Sequence, residues 1–285
     1  MLNPRWCGWF LIRLRAILGS SLLALSTNGF AWSSTFSIAA RYDDNANLAT
    51  QEEISDMGLN AGYGFETLQG INRDWQLGYG GNLSTSRWID HTGLNLTELG
   101  AHASLHRKFG LGPYAPRLKL QAGVARQFAK VSEWSGTWLR SEVVLQKRFG
   151  PQWQASLAGA YHQLFAGRAV FSTINREITA RLDHDLSARW SVSTSAGYRR
   201  GDQLSWCRNS WPPFIGTNQW RDGIFGDDWF PYQRTGRTFT AGVSLSRALG
   251  SDTSLTFVGE RMEARTVEDK RYHRQTCSVQ FIHRF

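Results

Sequence analysis

The feature that most constrains the fold is an alternation of apolar and polar residues, with a period of two, that recurs from residue 32 to the C-terminus. The last segment, YHRQTCSVQFIHRF, carries this pattern up to the terminal Phe285, and TFTAGVSLS at 238–246 carries it equally clearly. Successive side chains of a β-strand point to opposite faces, so each such segment predicts a strand with one apolar and one largely polar face. No segment after residue 31 has a sustained helical period, so the chain is predicted to be all-β.

Short turns alternate with longer connections along the chain. The short turns are TLQGINRDW, KFGLGPY, RFGPQW, LSARW and ALGSDTS, whereas the longest connection covers residues 203–234. The predicted strands, twelve in number, lie at 34–43, 56–67, 74–87, 95–109, 115–130, 137–149, 152–165, 172–185, 189–202, 235–248, 253–266 and 271–285. An even number of antiparallel strands places both chain ends beside the short turns and the long loops at the opposite end.

The alternation alone does not distinguish a soluble β-sandwich from a membrane barrel, but the spacing of aromatic residues does. Trp153 and Tyr161 are eight residues apart on one apolar strand face, and Trp190 and Tyr198 repeat that spacing. Eight residues of a tilted strand climb about 20 Å, close to the apolar height of about 25 Å between the two aromatic girdles of a membrane barrel. A mean hydropathy of −0.37 excludes a bundle of membrane helices.

The first 31 residues have the composition of a secretory signal peptide. Arg5, Arg13 and Arg15 are followed by an apolar run and then by small residues around Ala31, after which cleavage is predicted. A membrane anchor is the alternative, although the apolar stretch at 16–25 is short for a helical span. Removal of residues 1–31 lowers the formal net charge from +9 to +6, because this segment holds three Arg and no acidic residue. The barrel is then predicted to cover residues 32–285.

Taken together, these features resemble a Gram-negative outer-membrane β-barrel over nearly all of residues 32–285. In such proteins the final strand resembles a signal read by the barrel assembly machinery, matched here by Phe281, His283 and Phe285, although Tyr or an aliphatic residue is more usual at position 283. The segment ARYDDNANLA at 40–49 is similar to the opening strand and loop of barrels for surface lipoprotein assembly and polysaccharide secretion. The resemblance implies an integral outer-membrane protein whose partners are outer-membrane lipids, lipopolysaccharide and the assembly machinery.

The polar strand faces are predicted to line a lumen that is narrow, because twelve strands lie between filled barrels of about eight strands and wide porins of 16 to 18. Basic residues outnumber acidic ones on these faces. The predicted selectivity residues are Arg41, Lys119, Arg140, Arg181, Arg199 and Arg274. Rings of Arg and Lys attract anions, which predicts an anion-leaning channel for small polar solutes, including acidic sugars. The alternative is a filling of ion pairs, with Arg140 on Glu142, and Arg181 with Glu177 and Asp183.

The connection at 203–234 is rich in aromatic residues and is predicted to fold into or across the mouth of the barrel. The predicted constriction residues are Trp206, Trp211, Trp220, Asp227, Asp228 and Trp229. The alternatives are a track of aromatic rings that stack on the faces of an oligosaccharide, an external cap, or a contact with lipopolysaccharide. Adjacent aspartates in a Gly-rich loop are more typical of a turn than of a cation site.

Catalysis is not predicted. No Gly-x-Ser-x-Gly motif occurs. The segment HASLH in the fourth strand places His102, Ser104 and His106 on one face. It is similar to outer-membrane phospholipase A and lipid A deacylases only in its His-x-Ser. Those enzymes direct the pair toward lipid, whereas here it is predicted to face the lumen. No cofactor, metal or nucleic-acid motif is found. The second hypothesis is a non-conducting barrel that assists surface polysaccharide or lipoprotein export, and a lipid hydrolase is the least favoured.

Overall fold

The chain forms a closed antiparallel β-barrel of twelve strands in a computed structural model that describes residues 32–208, 222–267 and 270–285. The strands are β1 (Trp32–Asp43), β2 (Asp56–Gly70), β3 (Trp75–Trp88), β4 (Leu96–Lys108), β5 (Arg117–Ala129), β6 (Gly136–Arg148), β7 (Trp153–Ala166), β8 (Thr173–Asp185), β9 (Trp190–Arg208), β10 (Trp229–Ala248), β11 (Thr253–Thr266) and β12 (Arg271–Arg284). The predicted signal peptide, Trp211 and Trp220 lie outside the described residues. Within the described part of the chain, no helix is long and apolar enough to span a membrane.

Each strand pairs with its neighbours in sequence, and β1 pairs with β12 to close the ring. The register aligns Thr35 with Arg284 and Asp43 with Thr276. The terminal Phe285 donates its backbone N–H to the carbonyl oxygen of Ser34 at 2.9 Å. The prediction of twelve antiparallel strands in one closed barrel is therefore confirmed.

The outer surface of the wall is apolar. Leu99 and Phe239 are each 57% exposed, and many other large apolar side chains alternate with inward-facing polar residues along the strands. In two stacked sheets these side chains would be buried against each other, whereas here they form a surface that only acyl chains can cover favourably. Trp153 and Tyr198 lie on this outward face, as the aromatic spacing predicted, and Tyr198 packs on Phe239 with ring centroids 5.1 Å apart.

The ninth and tenth strands are longer than predicted. The prediction ended the former at 202 and began the latter at 235, but their pairing continues outward as far as Arg208 opposite Trp229. On its other side β9 leaves β8 at Gly201, which has a φ of +153° and faces Gly236 of β10. A Cβ at Gly201 would lie 2.1 Å from the carbonyl oxygen of Ile174, so only glycine fits where this ribbon leaves the wall.

We call the ribbon beyond this point, residues 202–208 and 229–235, the mouth hairpin. Its tip meets the first loop, which connects β1 to β2 and is not a neighbour of β9 in the ring. Trp206 donates its backbone N–H to the carbonyl oxygen of Asn47 at 3.0 Å, and Arg208 forms an ion pair with Glu52 at 3.1 Å. The mouth hairpin therefore extends over the barrel mouth to the opposite loop.

The first loop is held in shape by two buried asparagines. Asn45 donates from Nδ2 to the carbonyl oxygens of Ala49 at 2.9 Å and His273 at 2.8 Å, while its Oδ1 accepts from the backbone N–H of Ala49. Asn47 Oδ1 accepts from the backbone N–H of Ile54 at 3.0 Å. These bonds replace a regular ladder in satisfying the loop's backbone groups, so the NAN sequence at 45–47 orders the loop.

The long loops pack together above the lumen. We call their shared apolar core the cap cluster; it consists of Ala46, Ala49, Leu94, Val170, Phe171, Trp206, Ile224, Phe225 and Trp229. Three short 3₁₀ turns, Thr92–Leu94, Ser132–Trp134 and Ala169–Phe171, present residues to it. Phe171 is completely buried and stacks on Trp134 with centroids 5.8 Å apart, and Trp134 meets the edge of Trp206 at 6.2 Å. The cap cluster is thus a small soluble-type core at the extracellular end of a membrane-type wall.

Candidate functional site in the barrel lumen

The lumen contains three cavities at successive heights. The lower vestibule, near the short turns, has a volume of about 670 Å³ and is lined by small polar residues such as Ser191, Ser193 and Ser195. A middle cavity of about 160 Å³ lies against Arg140 and His162. The upper chamber, about 340 Å³, lies directly beneath the cap cluster. The interior is therefore neither filled by side chains nor a wide pore, in accordance with the strand number.

Two of the predicted selectivity residues share one carboxylate at the base of the upper chamber. Asp43 has a fully buried side chain and accepts from Arg274 Nε at 2.9 Å and from Arg41 Nη2 at 3.0 Å. Arg41 Nε is also buried and has no hydrogen-bond partner among the described residues. Two guanidinium groups therefore share this carboxylate, and Glu260 also attracts Arg41 electrostatically.

Arg140 forms the best-defined ion pair of the lumen. Its Nη1 and Nη2 donate to Glu98 Oε1 and Oε2 at 2.7 and 2.6 Å, a bidentate arrangement that spans the intervening strand β5. The predicted partner Glu142, two residues along the same strand, is wrong. The reason is geometric, because Glu98 of β4 faces inward and presents both of its carboxylate oxygens to the planar guanidinium of Arg140.

The remaining basic residues differ in how far their charge is compensated. Arg181 Nε donates to Asp183 at 2.7 Å, as the ion-pair alternative proposed, and its Nη2 donates to Ser193. Lys119 occupies an inward position of β5 and lies close enough to His106 to affect it electrostatically. Arg199 is half-buried, lines the upper chamber and makes no ion pair within 4 Å with any described residue. Glu177, its cross-strand neighbour, and Glu260 act on Arg199 electrostatically, so the charge of Arg199 is compensated from a greater distance than that of Arg140 or Arg181.

The structure also shows an apolar layer that the sequence analysis missed. Above the arginines, inward positions of several strands carry large apolar side chains, namely Trp88, Leu96, Trp138, Leu164 and Met262, which line the upper chamber. Trp138 donates its Nε1–H to Gln127 Oε1 at 2.9 Å. Each of these residues has the same parity as the polar lumen residues of its own strand. Following that parity to the extracellular end of each strand would have revealed the layer.

The predicted constriction residues separate into two groups. Trp206 and Trp229 are buried in the cap cluster, and both belong to strands and not to a loop. Asp227 and Asp228 are exposed in the turn before β10. They are therefore turn residues, as is typical of adjacent aspartates in a Gly-rich loop, and do not lie in the cap cluster. Trp211 and Trp220 lie outside the described residues. No group of His, Cys, Asp or Glu in the described ranges is placed to hold a metal ion.

Asp222 is the acidic residue of the cap that interacts most closely with the mouth hairpin. Its Oδ2 accepts from Trp206 Nε1 at 2.6 Å, and its Oδ1 accepts from the backbone N–H of Ile224 at 3.0 Å. Burial raises the pKa of Asp222 above its ordinary value, although these hydrogen bonds act in the opposite direction. The cap therefore contains a titratable carboxyl group whose charged form is disfavoured by folding.

The HASLH segment faces inward, as expected. Ser104 Oγ lies 2.9 Å from His106 Nε2 and 3.4 Å from Glu66 Oε1, while His102 Nε2 is 3.9 Å from the same carboxylate. In a catalytic triad the acid contacts the second nitrogen of the imidazole base. Here Glu66 contacts the Ser104 hydroxyl and not the second imidazole nitrogen of His106, so the three residues are not in that order. Ser104 is only 2% exposed, which leaves little room for a lipid ester.

The end of the chain lies at the short-turn rim. Phe281 pairs with Ile38 across the closure of the barrel, and His283 contacts both Thr253 Oγ1 at 2.8 Å and the edge of the Phe285 ring, whose centroid is 4.5 Å away. Phe285 is 62% exposed. All three aromatic side chains lie on the outward face of β12, and recognition by the assembly machinery stays a prediction.

No protein-family model matches the sequence, and no curated protein matches it. Among solved structures, an outer-membrane channel from Pseudomonas putida F1 shares 10% identity with a TM-score of 0.60, over 91% of this chain and 97% of that one. The NanC porin (7% identity, TM-score 0.46) and the KdgM porin in complex with disordered oligogalacturonate (9%, 0.40) each match over 87% of this chain and 98% of theirs. At these identities the similarity concerns the fold alone.

The fold is accordingly that of a bacterial outer-membrane β-barrel of the porin-like kind. The predicted outer-membrane location agrees with this fold and with the apolar outer face of the wall.

Proposed function

We propose that this protein is a narrow, anion-leaning channel for small polar solutes across the outer membrane. The observation that carries the proposal is the excess of guanidinium groups around an unfilled lumen. Arg41 and Arg274 share the carboxylate of Asp43, and Arg199 makes no ion pair within 4 Å with a described residue, although Glu177 and Glu260 act on it from farther away. In a bore bounded by a low-dielectric wall, uncompensated positive charge lowers the free energy of anions relative to cations.

The dimensions of the lumen support small solutes. A vestibule of about 670 Å³ and a chamber of about 340 Å³ are each in the size range of small-molecule sites, about 300 to 1,000 Å³. Arg140 lines a third cavity, of about 160 Å³, and its bidentate pair with Glu98 holds the guanidinium in place there. Passage to the exterior requires the loops of the cap cluster to separate, so we expect openings to be brief and gated.

The experiment is single-channel recording in planar bilayers under a KCl gradient. The wild-type reversal potential is expected to lie toward that of chloride. Arg199→Gln and Arg140→Gln should each shift it toward that of potassium, by about threefold in the permeability ratio, since each removes one charge from a confined bore. Arg126→Gln is the matched control, because Arg126 is on the outward face of β5 and donates to Thr137 Oγ1. A reversal potential on the potassium side in wild type would contradict the proposal.

The second candidate is a non-conducting barrel that assists export of a surface polymer. The observation favouring it is the closed mouth, where the mouth hairpin bonds to the first loop and Phe171 is completely buried beneath the loops. A barrel that remains silent in bilayers even when the cap cluster is weakened by Phe171→Ala would support this candidate. Ion steps that become frequent in the same variant would support the channel.

A further inference from the structure

We propose that the upper chamber is a binding site for a small aromatic carboxylate, with the ring against the apolar layer and the carboxylate on Arg199 and Arg41. This proposal names the solute class of the proposed channel and rests on that function for its biological meaning. It rests structurally on three features of one cavity: an aromatic wall, two indole N–H groups that are already occupied, and a floor of guanidinium groups that retains an unpaired Nε at Arg41 among the described residues.

The first feature is the wall. Trp88, Trp134, Trp138 and Phe171 line the same cavity of about 340 Å³, together with Leu96 and Met262. Sites that bind small molecules are mostly apolar with a few placed polar groups, and this volume is at the small end of their range of about 300 to 1,000 Å³. A compact planar ring can make offset or edge contacts with such a wall, whereas a long acyl chain would exceed the volume.

The second feature makes the chamber less favourable for a sugar. Sugar hydroxyls lose hydrogen bonds to water on entry and must regain them from the protein. Trp138 Nε1 already donates to Gln127 Oε1 at 2.9 Å, and Trp206 Nε1 donates to Asp222 Oδ2 at 2.6 Å. These two indoles therefore present carbon surface to the chamber and have no donor left for a ligand. An occupant with one apolar face and a single charged group fits this surface better than a polyol does.

The third feature is the charged floor. Arg41, Arg199 and Arg274 all line the chamber, and Arg274 lies close enough to each of the other two to repel it, while Glu260 attracts both Arg41 and Arg199. Arg274 is engaged by Asp43, but Arg41 Nε has no hydrogen-bond partner among the described residues, and Arg199 has no ion pair there. A carboxylate placed between these two groups would satisfy buried donors and reduce the repulsion. The same carboxylate could not be replaced by a neutral group without leaving the donors unpaired.

The two ligand-binding elements are also correctly arranged for one small molecule. Arg41 Cζ lies 5.6 Å from the centre of the Trp88 ring, and Arg140 Cζ lies 4.9 Å from the centre of the Trp138 ring. Of these two cations Arg41 lines the chamber itself, so an anion bound to Arg41 would also meet the Trp88 side of the aromatic wall. Asp202 also lines the chamber, but its carboxylate accepts from the backbone N–H of Ile174 at 2.9 Å and from Thr235 Oγ1 at 3.2 Å.

The test is isothermal titration calorimetry of the purified protein in detergent micelles at neutral pH with four probes. Benzoate is the proposed ligand type, benzyl alcohol is its neutral counterpart, acetate is the headgroup without the ring, and glucuronate is an acidic sugar. We expect benzoate to bind at least about tenfold more tightly than each of the others, since it alone gains both the charged hydrogen bonds and the aromatic contact. Glucuronate binding as tight as benzoate, or no saturable benzoate binding, would overturn the proposal.

Variants then assign the two halves of the site. Arg199→Gln should weaken benzoate about tenfold and leave benzyl alcohol unchanged, while Trp88→Leu should weaken both, by about fivefold, and leave acetate unchanged. Arg189→Gln, at the exposed short-turn rim, is the matched control for the lost charge and should bind benzoate as wild type does. If Arg199→Gln does not fold, Arg199→Lys and the wild-type probe series still decide the question. Benzoate binding that is unaffected by Arg199→Gln would refute the assignment of the floor.

Binding in micelles requires no ion flow, so the two proposals can fail separately. If the protein binds benzoate but carries no current in bilayers, the proposed binding site is supported and the proposed channel function is contradicted. Chloride-selective steps without benzoate binding would sustain the channel and refute the chamber.

Discussion

The lower and upper parts of the lumen are formed by the same strands, yet their inward-facing side chains differ in kind. In the lower vestibule β9 presents Ser191, Ser193 and Ser195, and Arg181 there forms an ion pair with Asp183. In the upper chamber the inward positions carry Trp88, Trp138 and other large apolar residues. The change occurs at the arginines on Asp43, directly below the cap cluster.

The difference shows that facing inward does not by itself determine the residue type. Where water has access, inward positions are polar, as the alternation rule for membrane barrels states. Above the arginines the packed loops surround the chamber with apolar side chains, so the same positions resemble the edge of a soluble protein core and favour apolar residues. The extracellular third is therefore a capped pocket placed on top of a conduit.

The largest expected effect comes from disrupting that cap. Phe171→Ala removes a completely buried ring from the cap cluster and should cost about 3 to 5 kcal/mol of its local stability. Protease cleavage in the loops should accelerate at least about 100-fold, because cleavage follows the population of opened loops. Limited proteolysis of the reconstituted protein measures this rate.

The matched control for that substitution is Leu157→Ala. Leu157 is 52% exposed on the outward face of β7, so its loss should leave loop cleavage near the wild-type rate. Equal cleavage rates in the two variants would show that the loops do not form a cooperative core. The proposed difference between a capped upper chamber and an open lower vestibule would then be wrong.

Much of the wall was predictable from sequence, because each strand is constrained by only two environments. Lipid and lumen alternate with the strand period, so residues such as Leu157 and Ser156 reveal their faces locally. The inward position of the basic residues followed from the same rule. Their partners did not, because Arg140 meets Glu98 from a strand two positions away, and register between strands is not visible in one segment.

The cap was less predictable because its contacts join distant parts of the chain. The aromatic content of residues 203–234 indicated a packed segment over the mouth, but the pairing of Trp229 with Arg208 and the bend at Gly201 depend on tertiary packing. A Trp at an inward-facing strand position, such as Trp88, was the one local signal of a pocket. A large aromatic side chain at an inward position does not fit a lumen lined by polar residues, and it therefore indicates a pocket at that height.

A smaller effect should sharpen the electrostatic side of the comparison. Glu98→Gln removes a negative charge from the lumen and frees Arg140, so the chloride-to-potassium permeability ratio should rise by about threefold. Glu133→Gln provides the control, because Glu133 lies in an exposed loop outside the lumen. Reversal potentials under a KCl gradient report both variants, and a fall in the ratio for Glu98→Gln would mean that Arg140 does not act on passing ions.

The smallest expected effect is a dependence of the cap on pH through Asp222. Burial raises the pKa of this carboxyl in the folded cap, so folding disfavours the charged form. The cap is therefore most stable below the unfolded pKa and loses stability as pH rises through the folded pKa. Acidification from neutral pH should slow loop cleavage by a protease active over that range, and Asp222→Asn should abolish this dependence. Cleavage that accelerates on acidification in wild type alone would contradict this assignment.

The most direct test of the account is the accessibility of two adjacent positions in β9. In a background where Cys207 and Cys277 are replaced by serine, Ser195→Cys places a thiol in the lower vestibule and Thr194→Cys places one on the lipid face. In proteoliposomes a charged, water-soluble maleimide is predicted to label position 195 and to leave position 194 unlabelled. Equal labelling of both positions, or labelling of 194 alone, would contradict a water-accessible lumen enclosed by the polar faces of the strands.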